Sequence, residues 1–459
     1  MKVAIVGAGW AGMAAAVTAA ERQSDVTVFE ASRTLGGRAR SLAAQRPDGV
    51  PLTLDNGQHI LIGAYTDSLA LMERVGMNLA EALWAMPLAL PYPDGRGLQT
   101  PRWAAGWPAP LDALAAIATA RGWSWSDRLA LVRTSLAWRA AGFQCPPSQT
   151  VSDLCAPLPR RVMAELIEPL CVSALNTPAS QSSAQVFLRV MRDALFSKGH
   201  GSMAASNLLL PRVDLSMAFP QTAQRWLGLH HPQTARVHAG TRVIALHPGS
   251  DGWDLQMEHQ GALSEERFDQ VIWATAATPA AQTMRRTADE AQARAMHGDV
   301  ARRLESWTSI TQALNFTAIT TVYAWAEGVR LSSPMLALPA EPDAHTAPAQ
   351  FVFDRGQLQP NEPDHQGVLA FVVSASVGDR SNLQSRVLQQ AARQLGLDSL
   401  QPIQTVVEKR ATFACTPELQ RPPLSIAPGL WAAGDYVEGP YPATLEGAVR
   451  SGMAAAQAL

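Results

Sequence analysis

The sequence predicts an α/β protein, and three observations carry this prediction. Residues 1–30 run through a strand, a glycine turn, a helix and a second strand. Residues 76–229 lose this alternation and have the pattern of a mainly helical region broken by prolines. Residues 430–452 return to an apolar strand, which a final helix follows. We therefore expect a Rossmann-type nucleotide-binding domain interleaved with an α+β substrate domain that contains a mixed sheet and a helical insert.

The first strand leads directly into a glycine turn. Residues 7–12 read Gly-Ala-Gly-Trp-Ala-Gly, and a second apolar strand ends on Glu30. In this dinucleotide-binding pattern the glycines allow a tight turn, a close backbone approach to a pyrophosphate and close helix packing. The helix N-terminus offers N–H groups to phosphate, and the glutamate can accept hydrogen bonds from ribose hydroxyls while disfavouring a 2′-phosphate. The motif does not distinguish an NAD site from an FAD site. The residues predicted to bind the nucleotide here are Gly7, Gly9, Trp10, Ala11, Gly12 and Glu30.

A glycine pair followed by arginine comes soon after Glu30. Gly37 can bring the backbone close to the same ligand, and Arg38 can hold a phosphate through its planar guanidinium group. The alternative is a surface turn with a solvated arginine.

The C-terminal segment completes the predicted nucleotide site. An apolar strand runs into Gly434 and Asp435, whose carboxylate can accept hydrogen bonds from sugar-alcohol hydroxyls. The final helix opens near Ala443, so Thr444 and Leu445 are predicted to bring its positive end to bound negative charge. A reduced flavin carries such charge.

We divide the chain into five segments. The nucleotide domain is predicted to comprise residues 1–75, 230–290 and 405–459. Residues 76–229 are predicted to form a mainly helical region facing substrate or membrane, and residues 291–404 to form the sheet of the substrate domain. Residues 242–246, 252–257 and 268–275 have the pattern of successive strands with turn residues between them, which supports the return to the nucleotide domain at residue 230.

A compact polar cluster, Asp55 to His59, lies between apolar flanks and indicates a strand or turn that faces a ligand. A lone histidine is more often structural than catalytic, so both roles stay open for His59.

The composition excludes several classes of protein. A net charge of −2 gives no basic surface for nucleic acid. Four cysteines without CxxC spacing and ten histidines without ligand spacing predict reduced thiols and no metal site. We expect no cleavable signal peptide, because the chain starts on its first core strand, and no spanning helix, because no apolar run is long enough to cross a bilayer. We expect a cytoplasmic protein.

Tryptophan is concentrated in the helical region. Residues 84–138 hold six of the 13 tryptophans, and arginines lie beside two amphipathic segments, residues 111–117 and 129–138. Indoles and arginines around apolar helices suit a membrane interface, which predicts peripheral association with the inner face of the cytoplasmic membrane. A tryptophan-rich core or pocket wall is the alternative, because periodicity does not distinguish a buried face from a lipid-facing one.

Together, these segments resemble the superfamily of FAD-dependent amine oxidases and phytoene desaturases, through the glycine turn, the acid, Gly-Gly-Arg and the terminal Gly-Asp helix. Within it, the chain resembles the hydroxysqualene dehydroxylase family, also called squalene-associated FAD-dependent desaturases. The segments that carry this second resemblance are residues 54–65 (LDNGQHILIGAY), 168–178 (EPLCVSALNTP), 183–190 (SAQVFLRV), 209–216 (LLPRVDLS) and 441–446 (YPATLE).

The resemblance implies an FAD enzyme and adds Val243, acting through its backbone, to the predicted FAD site. FAD should be bound non-covalently, because Cys415 lies well before Gly434. The implied reaction converts hydroxysqualene to squalene: the allylic hydroxyl leaves as water, and reduced flavin supplies a hydride. An acid should protonate the leaving oxygen, and the candidates are Asp55, His59 and Glu168. Asp55 could equally cap a turn, and Glu168 could pair with an arginine. The identity of the electron donor is left open.

Three alternatives remain at this point. A phytoene- or carotenoid-type desaturase would use the same fold with electrons flowing from substrate to flavin. A flavin amine oxidase would need an aromatic cage, for which Tyr436 and Tyr441 are the tyrosines near the C-terminal motif. The third alternative is a flavin-binding or membrane scaffold without catalysis.

Overall fold

The computed structural model describes residues 1–104, 106–107, 110–293, 298–341 and 346–459. The strands of these residues are β1 (Lys2–Val6), β2 (Asp25–Glu30), β3 (Ser41–Gln45), β4 (Pro51–Asp55), β5 (Leu61–Ile62), β6 (Leu83–Met86), β7 (Ala89–Pro91), β8 (Gly97–Gln99), β9 (Leu208–Pro211), β10 (Ala235–Ala239), β11 (Thr241–Pro248), β12 (Trp253–His259), β13 (Ala262–Phe268), β14 (Gln270–Trp273), β15 (Phe316–Trp325), β16 (Met335–Ala337), β17 (Phe351–Asp354), β18 (Val368–Val373), β19 (Gln401–Phe413), β20 (Ser425–Ala427) and β21 (Leu430–Ala432).

The helices of the described residues are α1 (Trp10–Glu21), α2 (Thr66–Arg74), α3 (Leu79–Ala82), α4 (Leu111–Thr119), α5 (Trp125–Ala140), α6 (Val151–Leu154), α7 (Arg160–Val162), α8 (Glu168–Leu175), α9 (Ala184–Phe196), α10 (Leu215–Ala218), α11 (Pro220–His230), α12 (Ala277–Ala293), α13 (Gly298–Gln312), α14 (Arg355–Leu358), α15 (Arg380–Leu395) and α16 (Leu445–Gln457). A π-helical segment, Met163–Ile167, joins α7 to α8. No described helix is both long and apolar enough to cross a bilayer.

Six strands form the sheet of the nucleotide domain, in the order β10-β2-β1-β14-β21-β20. The first five strands pair in parallel, and β20 pairs antiparallel with β21. The central strands are buried apolar runs, as expected for parallel strands covered on both faces. The sheet therefore combines strands from the beginning, middle and end of the chain, which confirms the predicted Rossmann-type, interleaved fold.

Small residues hold the two ends of the chain together. Helix α1 is almost entirely buried and consists largely of alanine, and it packs against α16. A Cβ atom added at Gly452 would lie 2.0 Å from the carbonyl oxygen of Ala11. The glycine thus lets the two helices approach backbone to backbone, so the C-terminal segment lies against the glycine turn.

The sheet of the substrate domain has the order β16-β17-β18-β15-β19. All four of its pairings are antiparallel, so the prediction of a mixed sheet was wrong. The hydrophobic pattern of a strand does not record its direction, which only the connections between strands decide. Strand β19 also pairs with β15 as far as Phe413, beyond the boundary predicted at residue 404. Its mixture of exposed and half-buried residues gives no apolar run that would extend the predicted sheet.

The segment between β10 and β14 is a three-stranded antiparallel sheet, β11-β12-β13. Two of its strands were predicted. Strand β13 was not, because most of its side chains are exposed and show no apolar alternation.

Residues 76–229 are mainly helical, and both predicted amphipathic segments lie in helices, α4 and α5. The five-segment division as a whole stays a prediction.

Candidate active site

A cavity of about 800 Å³ lies where the two domains meet. Its size is within the range of sites that bind cofactors and drug-sized ligands. The nucleotide domain contributes every predicted FAD-binding residue except Gly12; these are Gly7, Gly9, Trp10, Ala11, Glu30, Gly37, Arg38, Val243, Gly434, Asp435, Thr444 and Leu445. The cavity therefore brings together segments that are more than 400 residues apart in the chain.

Two glycine segments form one wall of the cavity. Gly7 has a φ of +109°, and an added Cβ would lie 2.8 Å from the carbonyl oxygen of Ala274. Gly9 faces Gly37, with backbone atoms so close that a side chain on either residue would fill the space between them. This bare backbone surface fits a phosphate-bearing group, which binds through N–H groups at the start of α1.

Glu30 is held at the end of β2 by two backbone donors. The N–H groups of Ala8 and Ser32 each donate to one of its carboxylate oxygens at 2.8 Å. Because each oxygen can accept more than one hydrogen bond, the carboxylate keeps acceptor capacity toward the cavity. This arrangement fits the two hydroxyls of a ribose.

Arg38 has protein partners in the structure. Its guanidinium group forms an ion pair with Asp435 and donates to the carbonyl oxygen of Ala411. These contacts tie the Gly-Gly-Arg turn to β19 and to the C-terminal turn. The predicted phosphate contact of Arg38 therefore stays a prediction, although the residue lines the cavity.

The final helix begins at the cavity. The Thr444 side chain caps α16 by accepting a hydrogen bond from the N–H of Gly447 at 3.0 Å. Tyr441 and Ala443, which precede the cap, have φ values of +59° and +58°, a conformation that costs free energy for residues other than glycine. The strained turn thus aims the positive end of α16 at the cavity, in a position to stabilise negative charge there.

Asp55, a predicted catalytic acid, is not part of the cavity wall. Its carboxylate is buried, accepts a hydrogen bond from the N–H of Leu215 at 2.8 Å and forms an ion pair with the buried Arg355 at 3.2 Å. Its backbone carbonyl accepts a hydrogen bond from Tyr323. This position argues against the predicted role as the acid and indicates that Asp55 holds the two domains together.

Glu168, the second predicted acid, also lies away from the cavity lining. Its carboxylate accepts a hydrogen bond from the N–H of Ala179 at 3.3 Å, which fastens the loop after α8. The neighbouring residues Ser173 and Ala174 of α8 do line the cavity. The motif around Glu168 therefore builds part of the wall, but the carboxylate itself is not placed to act as the acid.

His59 does line the cavity. Its Nδ1 lies 2.8 Å from the carbonyl oxygen of Gly57. Because a carbonyl only accepts, Nδ1 must carry the proton, and the neutral ring then presents Nε2 as an acceptor. Burial lowers the pKa of His59, which favours this neutral form.

Glu408 and the apolar wall beside it were not predicted from the sequence. Glu408 lies on β19 opposite Ile319 of β15, and both line the cavity. The side-chain amide of Asn56 donates to its carboxylate at 3.3 Å. The apolar side chains of this part of the wall are those of Ile60, Ile319, Phe351, Phe353 and Val372. Strand pairing brings them together, and the sequence around Glu408 carries no motif that marks it.

Cys415 is buried and does not line the cavity, and burial raises the pKa of its thiol to about 12, which fits a non-covalent cofactor.

Within the described ranges no three His, Cys, Asp or Glu side chains are grouped to hold a metal ion, and the absence of a metal site stays a prediction.

Comparisons with known proteins agree with this geometry. Hydroxysqualene dehydroxylase of Zymomonas mobilis is 26% identical over 466 residues, which cover 98% of this chain and 97% of that protein. The protein of the same name from Rhodopseudomonas palustris is 26% identical over 99% of this chain and 97% of its own length. Zeta-carotene desaturase of Synechocystis is 41% identical, but over only 17% of this chain and 15% of its own.

Solved structures show the same fold. An oxidoreductase of Methanosarcina mazei superposes with a TM-score of 0.69 at 13% identity, over 99% of both chains. The family model for flavin containing amine oxidoreductases matches residues 10–459, almost the entire chain. The scaffold alternative is therefore wrong: the chain belongs to the flavin containing amine oxidoreductase family, and it is an FAD-dependent oxidoreductase.

Proposed function

We propose that the chain reduces hydroxysqualene to squalene. The observation that carries the proposal is its similarity, over nearly its entire length, to two proteins named hydroxysqualene dehydroxylase. The apolar wall around Phe351 and Phe353 supports it, since a long hydrocarbon chain needs such a surface. FAD, when bound and reduced, supplies the hydride that replaces the hydroxyl.

The residues of the cavity suggest how the hydroxyl leaves. Among the described residues three carboxylates line the cavity. Glu30 accepts two backbone N–H groups at 2.8 Å and Asp435 forms an ion pair with Arg38, whereas Glu408 accepts only longer hydrogen bonds, at 3.3 Å, from the N–H of Arg410 and the side-chain amide of Asn56. Glu408 lies beside the apolar wall, so we assign it the proton that converts the hydroxyl to water. His59 accepts a hydrogen bond at Nε2 and thereby orients the hydroxyl. Each turnover breaks one C–O bond, forms one C–H bond, and consumes one hydride and one proton; a separate donor must then reduce FAD again.

The second candidate is a carotenoid-type desaturase, which the partial match to zeta-carotene desaturase favours. A flavin amine oxidase is less well supported. Such an enzyme would need an aromatic cage, and neither Tyr436 nor Tyr441, the two tyrosines considered for it, is among the described residues that line the cavity.

The direction of electron flow separates the first two candidates. We expect dithionite-reduced protein to be reoxidised by hydroxysqualene without oxygen, with squalene as the product. Oxidised protein should not be bleached by squalene or phytoene. The Glu408→Gln variant should keep its flavin spectrum and lose turnover by about 10²-fold or more, whereas Glu327→Gln, at an exposed position, should match the unaltered protein. Bleaching by phytoene, with no reoxidation by hydroxysqualene, would establish the desaturase instead.

His59 gives a pH dependence with a defined sign. The neutral ring is the form that accepts the hydroxyl hydrogen, and burial lowers its pKa below the ordinary value of about 6.5. The decrease in turnover that protonation of His59 causes should therefore begin only below pH 6.5. In His59→Ala, turnover should drop about tenfold. Its further decrease at low pH should be smaller than in the original protein, because the part caused by protonation of His59 is absent. A general acid at His59 would instead make turnover rise as the pH falls through the pKa of His59, and this rise would be absent in His59→Ala.

The substrate is a lipid, so we propose that the chain meets it at the inner face of the cytoplasmic membrane.

A further inference from the structure

Large apolar side chains are exposed mainly in one part of the molecule. Of the twelve such side chains that are exposed among the described residues, seven lie between residues 103 and 136. Trp125 is 76% exposed and Trp103 is 62% exposed, whereas Trp123 and Trp138 are buried. A concentration of this kind on a folded protein indicates an interaction surface. The seven are Trp103, Trp107, Leu111, Leu114, Trp125, Leu129 and Leu136, and we call them the apolar face.

Helix α5 shows that the face is a regular feature. Trp125, Leu129 and Leu136 are spaced by four and seven residues and form one stripe along the outer side. Asp127, Leu131 and Trp138 form the opposite stripe and are buried against the protein. The helix therefore carries large apolar side chains on both sides, and only those of the inner side are covered by the protein.

Arginines flank the outer stripe. The guanidinium group of Arg128 lies 4.8 Å from the ring centroid of Trp125, and that of Arg139 lies 5.3 Å from the ring of Phe196. Arg133 is exposed on the other side of the stripe. Arginine beside exposed indole is an arrangement that suits an interface between apolar material and water.

The charge of the region identifies the partner. Residues 100–143 contain five arginines, two aspartates and no lysine or glutamate, a net charge of +3 in a chain whose net charge is −2. Both aspartates are buried: Asp112 accepts a hydrogen bond from Ser206, and Asp127 caps α5 through Ser124. A second copy of this chain would bring like charges together, whereas a surface of lipid phosphates offers the opposite charge and accepts apolar side chains.

We propose that the apolar face docks on an anionic lipid bilayer, with its indole and leucine side chains in the interfacial layer and its arginines on the lipid phosphates. Such a surface binds through buried apolar area together with attraction to anionic lipids. The proposal rests on the proposed function, in which the enzyme meets a lipid substrate at the membrane. It adds the charge of the lipid headgroups and the surface of the protein that contacts them.

A continuous helical rod, residues 160–175, connects this face with the cavity and consists of α7, the π-helical segment and α8. At its outer end Arg161 donates to the carbonyl oxygen of Gly122, in the loop that precedes α5. The rod continues through the π-helical segment into α8, where Ser173 and Ala174 line the cavity. Sixteen helical residues span about 24 Å. A protein docked by this face would thus hold its cavity within reach of a substrate dissolved in the bilayer.

The test is flotation of the full-length holoprotein with vesicles that contain no isoprenoid, so that the result does not depend on the substrate. We expect binding to vesicles that contain phosphatidylglycerol, little binding to phosphatidylcholine alone, and a decrease with added salt. The Trp125→Ser/Leu129→Ser variant should bind at least about tenfold more weakly. Leu229→Ser, at a leucine on α11 that is more exposed than Leu129, should bind normally. Arg133→Glu should weaken binding by roughly tenfold or more, and Arg303→Glu, an exposed arginine on α13, should not.

Flavin absorbance and circular dichroism of each variant confirm that it is folded. The proposal is overturned if the protein does not bind anionic vesicles, or if the face variants and their controls bind alike. Light scattering without lipid provides a further check. A dimer that the same face variants dissociate would assign the face to a second copy of the chain.

Discussion

The Gly12→Ala variant is expected to lose FAD and much of its stability. The added Cβ would lie 1.8 Å from the carbonyl oxygen of Gly7 and 3.2 Å from the Cβ of Ala274. The first of these is a backbone atom in the glycine turn, so helix α1 must move away from the sheet to relieve the clash. That movement displaces the N–H groups expected to hold the pyrophosphate. Overpacking of this kind costs about 1–3 kcal/mol, before the loss of the bound cofactor is added.

Flavin absorbance after gel filtration and the midpoint of thermal unfolding measure the two effects. Gly228→Ala is the matched control, since Gly228 is also helical, lies in α11 and has no atom within 4 Å of an added Cβ. This control should keep its FAD and gain up to about 1 kcal/mol, because alanine favours the helix. A Gly12→Ala protein with full FAD content and an unchanged midpoint would show that α1 does not pack as the structure indicates.

The features around Gly12 could be predicted from the sequence because they are local. The glycine spacing predicted the strand, the turn, the helix and Glu30, because each of these features depends on residues close together in the chain. The structure places every other predicted FAD residue at the cavity, but Gly12 lies behind the turn and acts through packing. The C-terminal motif was predictable for the same reason, since Asp435 and the start of α16 are a local pattern.

Features that depend on tertiary pairing were not predictable. Glu408 is one of several charged residues on a half-exposed strand, and only its pairing opposite Ile319 places it at the cavity. The direction of the strands in the substrate sheet depends on connections that hydrophobic patterns do not record. The exposed fractions of Trp125 and Trp138 differ widely although both lie in helix α5, because the rest of the protein covers only one of its sides.

The Asp55→Asn variant is expected to unfold more readily than the original protein, whereas the loss of a catalytic acid would lower turnover alone. The Arg355 side chain is completely buried, and its Nη1 atom bonds to the carboxylate of Asp55 and the side-chain oxygen of Gln58. Removing the negative charge leaves the guanidinium group uncompensated in the interior. Breaking one partner of such a pair costs about 3–5 kcal/mol, which is a large part of the stability of most proteins.

The free energy of unfolding in denaturant, measured together with FAD content, distinguishes the two roles. Asp48→Asn is the control on a more exposed pair, and it should change stability by no more than about 1 kcal/mol. The double variant Asp55→Leu/Arg355→Met should recover much of the lost stability, because no isolated charge then remains in the interior. An Asp55→Asn protein that unfolds like the original and loses only turnover would return Asp55 to the catalytic site. A loss of stability that the double variant relieves establishes that the pair fastens the β4 segment to the substrate domain.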